Sequence, residues 1–268
     1  MTKSLGEKSA NYEYRPISDK QYRVFAHKAS MLIKDTADFY NIPNTSVYPE
    51  TILAYAGEEY RIQYVGFTSL TKQYDIQVKR EAAGCMADLG NRIVYDQGIL
   101  LLDNLSGFAE GDALEPIVGI NLDMNTGVPA RGQSTLLHEV THVVFQFGGS
   151  LQAKFDLGKA GSSSDPEEIE ANYIAYFLLI PDWRLVDLLC NENTFDEICD
   201  TYNISGRALH NRIKTFLLHA IGLSERAALN MLLPFRYPLA YPSTSDNLKK
   251  YLQSQFIDLF DFTSEGRL

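Results

Sequence analysis

Ser134-Thr135-Leu136-Leu137-His138-Glu139-Val140-Thr141-His142-Val143-Val144 is the stretch on which the reading of the chain turns. Leu136, Leu137, Val140, Val143 and Val144 supply apolar positions at helical spacing. Ser134 or Thr135 can begin the helix, and Gly148-Gly149 can end it. Residues four apart share a helix face, so His138 and His142 present two imidazoles together. Two such imidazoles can hold one Zn2+, and Glu139 stands beside them as a base for water. The chain has only five histidines in 268 residues, so two at this spacing weigh against accident.

A catalytic zinc site needs three protein ligands and one open position. The metzincin continuation is excluded: Phe145 stands where it needs glycine, and Gly148 where it needs histidine. The next histidine is His210, far along the chain, which makes a carboxylate the better third ligand. Asp165-Pro166-Glu167-Glu168-Ile169-Glu170-Ala171-Asn172 opens a second helix, with proline in its first turn. Glu168 and Asn172 share a face. Glu168 can ligate the metal, and Asn172 can hydrogen-bond a ligand histidine. Spacing leaves two other readings open. Glu168 also occupies the third position of a capping box begun by Asp165, and Glu170 is the substitute ligand. A His-His-Glu donor set accepts Mn2+ or another divalent ion as well as Zn2+.

Upstream, Ser18-Asp19-Lys20-Gln21 has capping-box spacing. Tyr22, Phe25, Ala29, Leu32, Ile33 and Ala37 follow at helical spacing until Asn41-Ile42-Pro43-Asn44. Residues 60–67 read as a strand, residues 93–95 and 99–102 as a hairpin around Asp96-Gln97-Gly98, and residues 117–122 as a further strand. From residue 130 to 232 the period is helical, with Gly158 to Ser164 a flexible loop. Pro234, Pro238 and Pro242 mark an irregular segment, and residues 245–262 suit a last amphipathic helix. Strands and helices segregate along the chain, which predicts an α+β fold rather than a doubly wound sheet.

Composition narrows the function classes. With 24 basic and 34 acidic side chains the formal net charge is −10, which disfavours nucleic acid and anionic membrane as partners. Cys85, Cys190 and Cys199 make an odd set without a C-x-x-C pair, as expected of reduced thiols in a cytoplasmic protein. The polar N-terminus carries no secretory signal, and no apolar run reaches the roughly 20 residues that span a bilayer. No G-x-S-x-G elbow is present, and Gly158 to Ser164 lacks the order of a phosphate-binding loop.

The two helices together resemble the ImmA/IrrE metallopeptidase family. The resemblance is carried by His138-Glu139-Val140-Thr141-His142 and by Glu168-Ile169-Glu170-Ala171-Asn172-Tyr173-Ile174-Ala175-Tyr176-Phe177-Leu178-Leu179-Ile180-Pro181. The family pattern in the second helix is E-x-E-A-N-x-F-A-x-x-L-L-M-P, so Ile174 and Ile180 stand for its Phe and Met. The likeness covers roughly residues 90–217. It implies Glu168 as the third ligand and a zincin-like fold. The fold has a small, mostly antiparallel sheet with an edge strand beside the metal helix, for which residues 117–122 are the natural candidate. It further implies a helix-turn-helix-like region, here Thr194 through Ile213, and a substrate that is a helix-turn-helix repressor of the XRE type controlling mobile-element or stress genes.

The expected division is an N-terminal extension and helix (1–55), a zincin-like metallopeptidase domain (56–190), a helix-turn-helix-like region (191–232) and a C-terminal irregular segment with a helix (233–268). The expected activity is metal-dependent peptide hydrolysis with Glu139 as general base and Tyr173, Tyr176, His210 and Arg184 as candidate oxyanion donors. Two alternatives stand beside it. One is a DNA-binding regulator using residues 194–217, whose second helix offers Arg207, Arg212 and Lys214. The other is a metal-stabilised module that sequesters a repressor without cutting it, which would have no need of Glu139.

Overall fold

The computed structural model describes residues 17–67, 75–82, 85–93, 107–111, 116–121, 129–146, 152–156, 165–191 and 193–255. In chain order these form α1 (Asp19–Tyr40), a 3-10 turn (Asn44–Ser46), α2 (Pro49–Glu59), β1 (Gln63–Phe67), β2 (Asp75–Ala82), β3 (Cys85–Ile93), β4 (Gly107–Gly111) and β5 (Ile117–Asn121). There follow α3 (Pro129–Gln146), β6 (Gln152–Asp156), α4 (Pro166–Leu179), α5 (Asp182–Cys190), α6 (Phe195–Thr201), α7 (Gly206–His219), α8 (Glu225–Arg236) and α9 (Asn247–Gln255). The described chain is therefore mainly helical with a small mixed sheet, an α+β composition. None of its helices is long and apolar enough to cross a membrane.

Two compact units divide the described residues: one within 53–128 and 135–172, the other within 17–52, 129–134 and 173–255. The first holds a four-stranded sheet of order β1-β5-β4-β6. β1 runs parallel to β5, and β4 is antiparallel to both β5 and β6. β2 and β3 form a separate antiparallel hairpin whose register shifts between Val78 and Lys79. On β4 and β5, Phe108 pairs with Gly119. The Phe108 ring lies so close over Gly119 that a Cβ there would stand 2.0 Å from it. The glycine is what lets the ring fold down onto the neighbouring strand.

Against this sheet the central stretch of α3 is buried all round. Leu136, Leu137, Val140 and Val143 are interior, and so are Thr135, His138, Glu139, Thr141 and His142. Thr141 satisfies its hydroxyl within the helix, donating to the Leu137 carbonyl at 2.8 Å. A helix buried on every side is ordinarily apolar. Two imidazoles and a carboxylate placed there cost desolvation energy unless each is paired.

In the second unit Ser18 caps α1 through the expected box with Gln21. Tyr22, Phe25, Ala29, Leu32, Ile33 and Ala37 line the buried face of α1, as their spacing predicts. Asp182 at the start of α5 accepts from Tyr22 Oη at 2.7 Å and from Arg212 Nη2 at 2.5 Å. Arg212 also donates to the Ile180 carbonyl at 3.0 Å and lies over the Phe177 ring. A buried guanidinium is tolerated only with such pairing. Thr194 and Glu197 form a capping box on α6, and Asn203, at φ 49°, precedes α7, which Ser205 caps.

 Asn41, which ends α1, has φ 52°, and both asparagines take the left-handed conformation that this residue tolerates.

Several expectations change. The helix carrying His138 begins at Pro129, more than a turn before Ser134. The strand expected at residues 117–122 is present as β5, but it is not an edge: it lies between β1 and β4, and the sheet's edges among the described residues are β1 and β6. The stretch read as helical from residue 130 onward contains β6, held by its ladder to β4. Pro234 lies inside α8, two residues from its end, where it removes one N–H donor from the helix's last turn. The last helix is shorter than residues 245–262, ending at Gln255 within the described residues. The hairpin expected around Asp96-Gln97-Gly98 and the loop from Gly158 to Ser164 lie outside the described residues. Replacing Gly119 with alanine should destabilise the protein by about 1–3 kcal/mol through overpacking against Phe108, read as a lower midpoint in urea unfolding.

Candidate metal centre

Three side chains from two helices converge. His138 and His142 come from α3, one turn apart, and Glu168 comes from the first turn of α4. The Nε2 atoms of the two histidines are 3.1 Å apart. Glu168 Oε2 is 3.3 Å from His138 Nε2, and Glu168 Oε1 is 3.4 Å from His142 Nε2. Among the described residues these three form a group whose donor atoms could hold one metal ion. In a tetrahedron with metal–ligand bonds of about 2.0–2.1 Å, neighbouring ligand atoms stand about 3.3–3.4 Å apart. The two imidazole nitrogens, and each of them with its nearer Glu168 oxygen, stand at nearly that separation, the carboxylate offering a different oxygen to each ring.

The hydrogen bonds around His142 show which ring nitrogen faces the triangle. Gln146, one turn further along α3, donates from Nε2 to the Glu167 carbonyl at 3.0 Å. That fixes the direction of its amide, because Nε2 only donates. Its Oε1 is then the atom facing His142 Nδ1, so Nδ1 carries the proton and donates to it. The neutral His142 ring therefore turns an unprotonated Nε2 towards His138 and Glu168. One proton on His138 Nε2 can bridge only one of these contacts, whereas a cation among the three side chains can satisfy all three residues. The donor set fits a divalent metal.

Glu168 is the charged member. Burial pushes its carboxyl up, but hydrogen bonds and charge from His138 and His142, when those rings are protonated, outweigh this and hold it well below the usual carboxylate range. It is thus an anionic ligand at neutral pH. Its side chain is 29% exposed while that of His142 is 1% exposed, so solvent reaches the cluster from the Glu168 side. The competing role for Glu168 is not adopted by its carboxylate, which faces the histidines. Asp165 instead caps α4 by accepting from the Glu167 N–H at 3.0 Å.

Glu139 follows His138 and is fully buried. Its carboxylate lies over the first residue of β4, where a Cβ on Gly107 would stand 2.9 Å from Oε1 and 2.6 Å from the Thr135 methyl. Gly107 thus gives α3 room to approach the sheet with Glu139 in place. Asn172 does something other than expected. Its side-chain amide donates to the Glu168 carbonyl at 2.7 Å, within its own helix, and the partner of a ligand histidine is Gln146. Gln146 and Gly107 escaped the reading of the sequence, although each left a signal. Gln146 extends the His138–His142 spacing by one more turn, and an isolated glycine in a strand marks close backbone approach.

The four candidate oxyanion donors, and the helix proposed for DNA, belong to the second unit. Arg184 is buried, donates to the Thr45 carbonyl and lies between the Tyr48 and Trp183 rings. Tyr173 stacks on Phe25. Burial raises the Tyr176 hydroxyl pKa. Burial and the nearby Arg236 and Lys214 lower His210 to about 4, leaving it a neutral imidazole near pH 7. Of the cations on α7, Arg212 is buried on Asp182 and Lys214 pairs with Glu225 at 2.6 Å. Neither is arranged as a free phosphate contact.

No family model, curated protein or solved structure matches the chain. Purified protein loaded with Zn2+ should retain about one ion per chain, measured by elemental analysis after gel filtration. His138→Ala or Glu168→Ala should each bring that content close to zero.

Proposed function

We propose that the protein is a metal-dependent endopeptidase. The observation that carries this reading is the convergence of His138 Nε2, His142 Nε2 and the Glu168 carboxylate at nearest separations of 3.1–3.4 Å, beside Glu139 on the buried histidine helix. Bound there, a divalent ion supplies Lewis acidity, lowering the pKa of water towards about 7 and polarising a carbonyl oxygen. Zn2+ is the ion we favour, since three nitrogen and oxygen ligands with one open position suit it, although the same donors accept Mn2+.

The residues of the chain do the rest. Glu139 takes a proton from the attacking water as the new C–O bond forms, then passes it to the departing amine as the C–N bond breaks. One water is consumed, and a carboxylate and an amine are produced. An extended substrate can pair its backbone with an exposed strand edge, and β6 is one edge of the sheet among the described residues. The resemblance of the two ligand helices to the ImmA/IrrE family supports a helix-turn-helix repressor as substrate and derepression of mobile-element or stress genes as the outcome. Reduced thiols and the acidic balance support a cytoplasmic setting and a protein partner rather than nucleic acid.

Co-expression with a repressor encoded beside this gene should yield cleaved repressor. Glu139→Gln should keep its metal and lose about 10²–10⁴-fold in cleavage rate, read by mass spectrometry of the repressor. Intact repressor with the wild type under every inducing condition contradicts the reading. Repressor release that survives Glu139→Gln shows sequestration instead.

A further inference from the structure

Gln146 joins the two ligand helices at the metal centre. Its Oε1 receives the His142 Nδ1 proton, and its Nε2 donates to the carbonyl of Glu167, the residue just before the third ligand. One side chain therefore acts on two ligands. It holds the His142 ring in the tautomer with Nε2 bare, and it ties the first turn of α4, which carries Glu168, to the end of α3. Asn172 bonds within α4 and provides no such cross-link through its amide.

We propose that Gln146 is a positioning residue that sets metal affinity by preorganising His142 and Glu168 before the ion arrives. The proposal rests on the metal-site reading given above. Its physical basis is twofold. A neutral imidazole with its proton on the wrong nitrogen must change tautomer before it can ligate. A helix start without a tie must be ordered as the ion binds. Partners that fix a ligand histidine are ordinarily worth about 10–100-fold in metal affinity.

The test measures Zn2+ affinity by competition with a chelating indicator, and the His142 tautomer by long-range proton–nitrogen NMR on the metal-free protein at alkaline pH. The wild type should show His142 protonated on Nδ1. Gln146→Ala should bind Zn2+ about 10–100-fold more weakly and show proton density on Nε2. Gln146→Glu keeps an acceptor for Nδ1, so it should retain the wild-type tautomer and bind more tightly than Gln146→Ala. Wild-type protein with the proton on Nε2 overturns the proposal without any variant. So does a Gln146→Ala protein whose affinity stays within about twofold of the wild type. Failure of the wild type itself to bind Zn2+ would instead overturn the metal-site reading, which keeps the two failures distinct.

Discussion

Two imidazole nitrogens and a carboxylate, held at nearest separations of 3.1–3.4 Å in a largely buried place, are the constraint around which the first unit is arranged. Two members are Nε2 lone pairs when both rings are neutral and ready to ligate, and the third is a carboxylate. Such a set repels itself unless protons or a cation lie between its members. The surrounding structure keeps the atoms together all the same. Apolar neighbours on α3 fix the helix, Asp165 starts α4, and Gln146 spans the two.

The sheet serves this arrangement by admitting the helix closely. Gly107 leaves space for Thr135 and the Glu139 carboxylate, and Gly119 leaves space for the Phe108 ring on the same pair of strands. Both are places where a single methyl would collide, so the fit of α3 on β4 depends on two missing side chains as much as on packed ones. The Glu139 carboxylate, held against a strand in this way, has little freedom to turn away, as the role of base proposed for it requires.

Much of the site was legible in the sequence because helical spacing is a strong local rule. His138, Glu139 and His142 follow from it directly, and α1 with its Ser18–Gln21 box follows from the same rule. Glu168 was open from spacing alone, because the start of a helix offers an acid two uses, and only the fold shows its carboxylate turned to the histidines. The strands were less legible. β4 and β6 are five residues each, and their stability lies in partners distant in the chain, as when Phe108 pairs with Gly119 on one side and Phe155 on the other. β5 was found but placed at an edge, because strand order is not encoded in any one strand. Asn172 and Gln146 exchanged roles for a similar reason: each lies one turn from a ligand, and which one reaches across depends on the approach of α4 to α3.

Anomalous diffraction at the zinc edge, on crystals of the Zn2+-loaded protein, tests the central claim most directly. A single peak within about 2.0–2.2 Å of His138 Nε2, His142 Nε2 and a Glu168 oxygen is the predicted result. Saturated protein with no peak among those three side chains, or with its zinc held by other residues, would contradict the account.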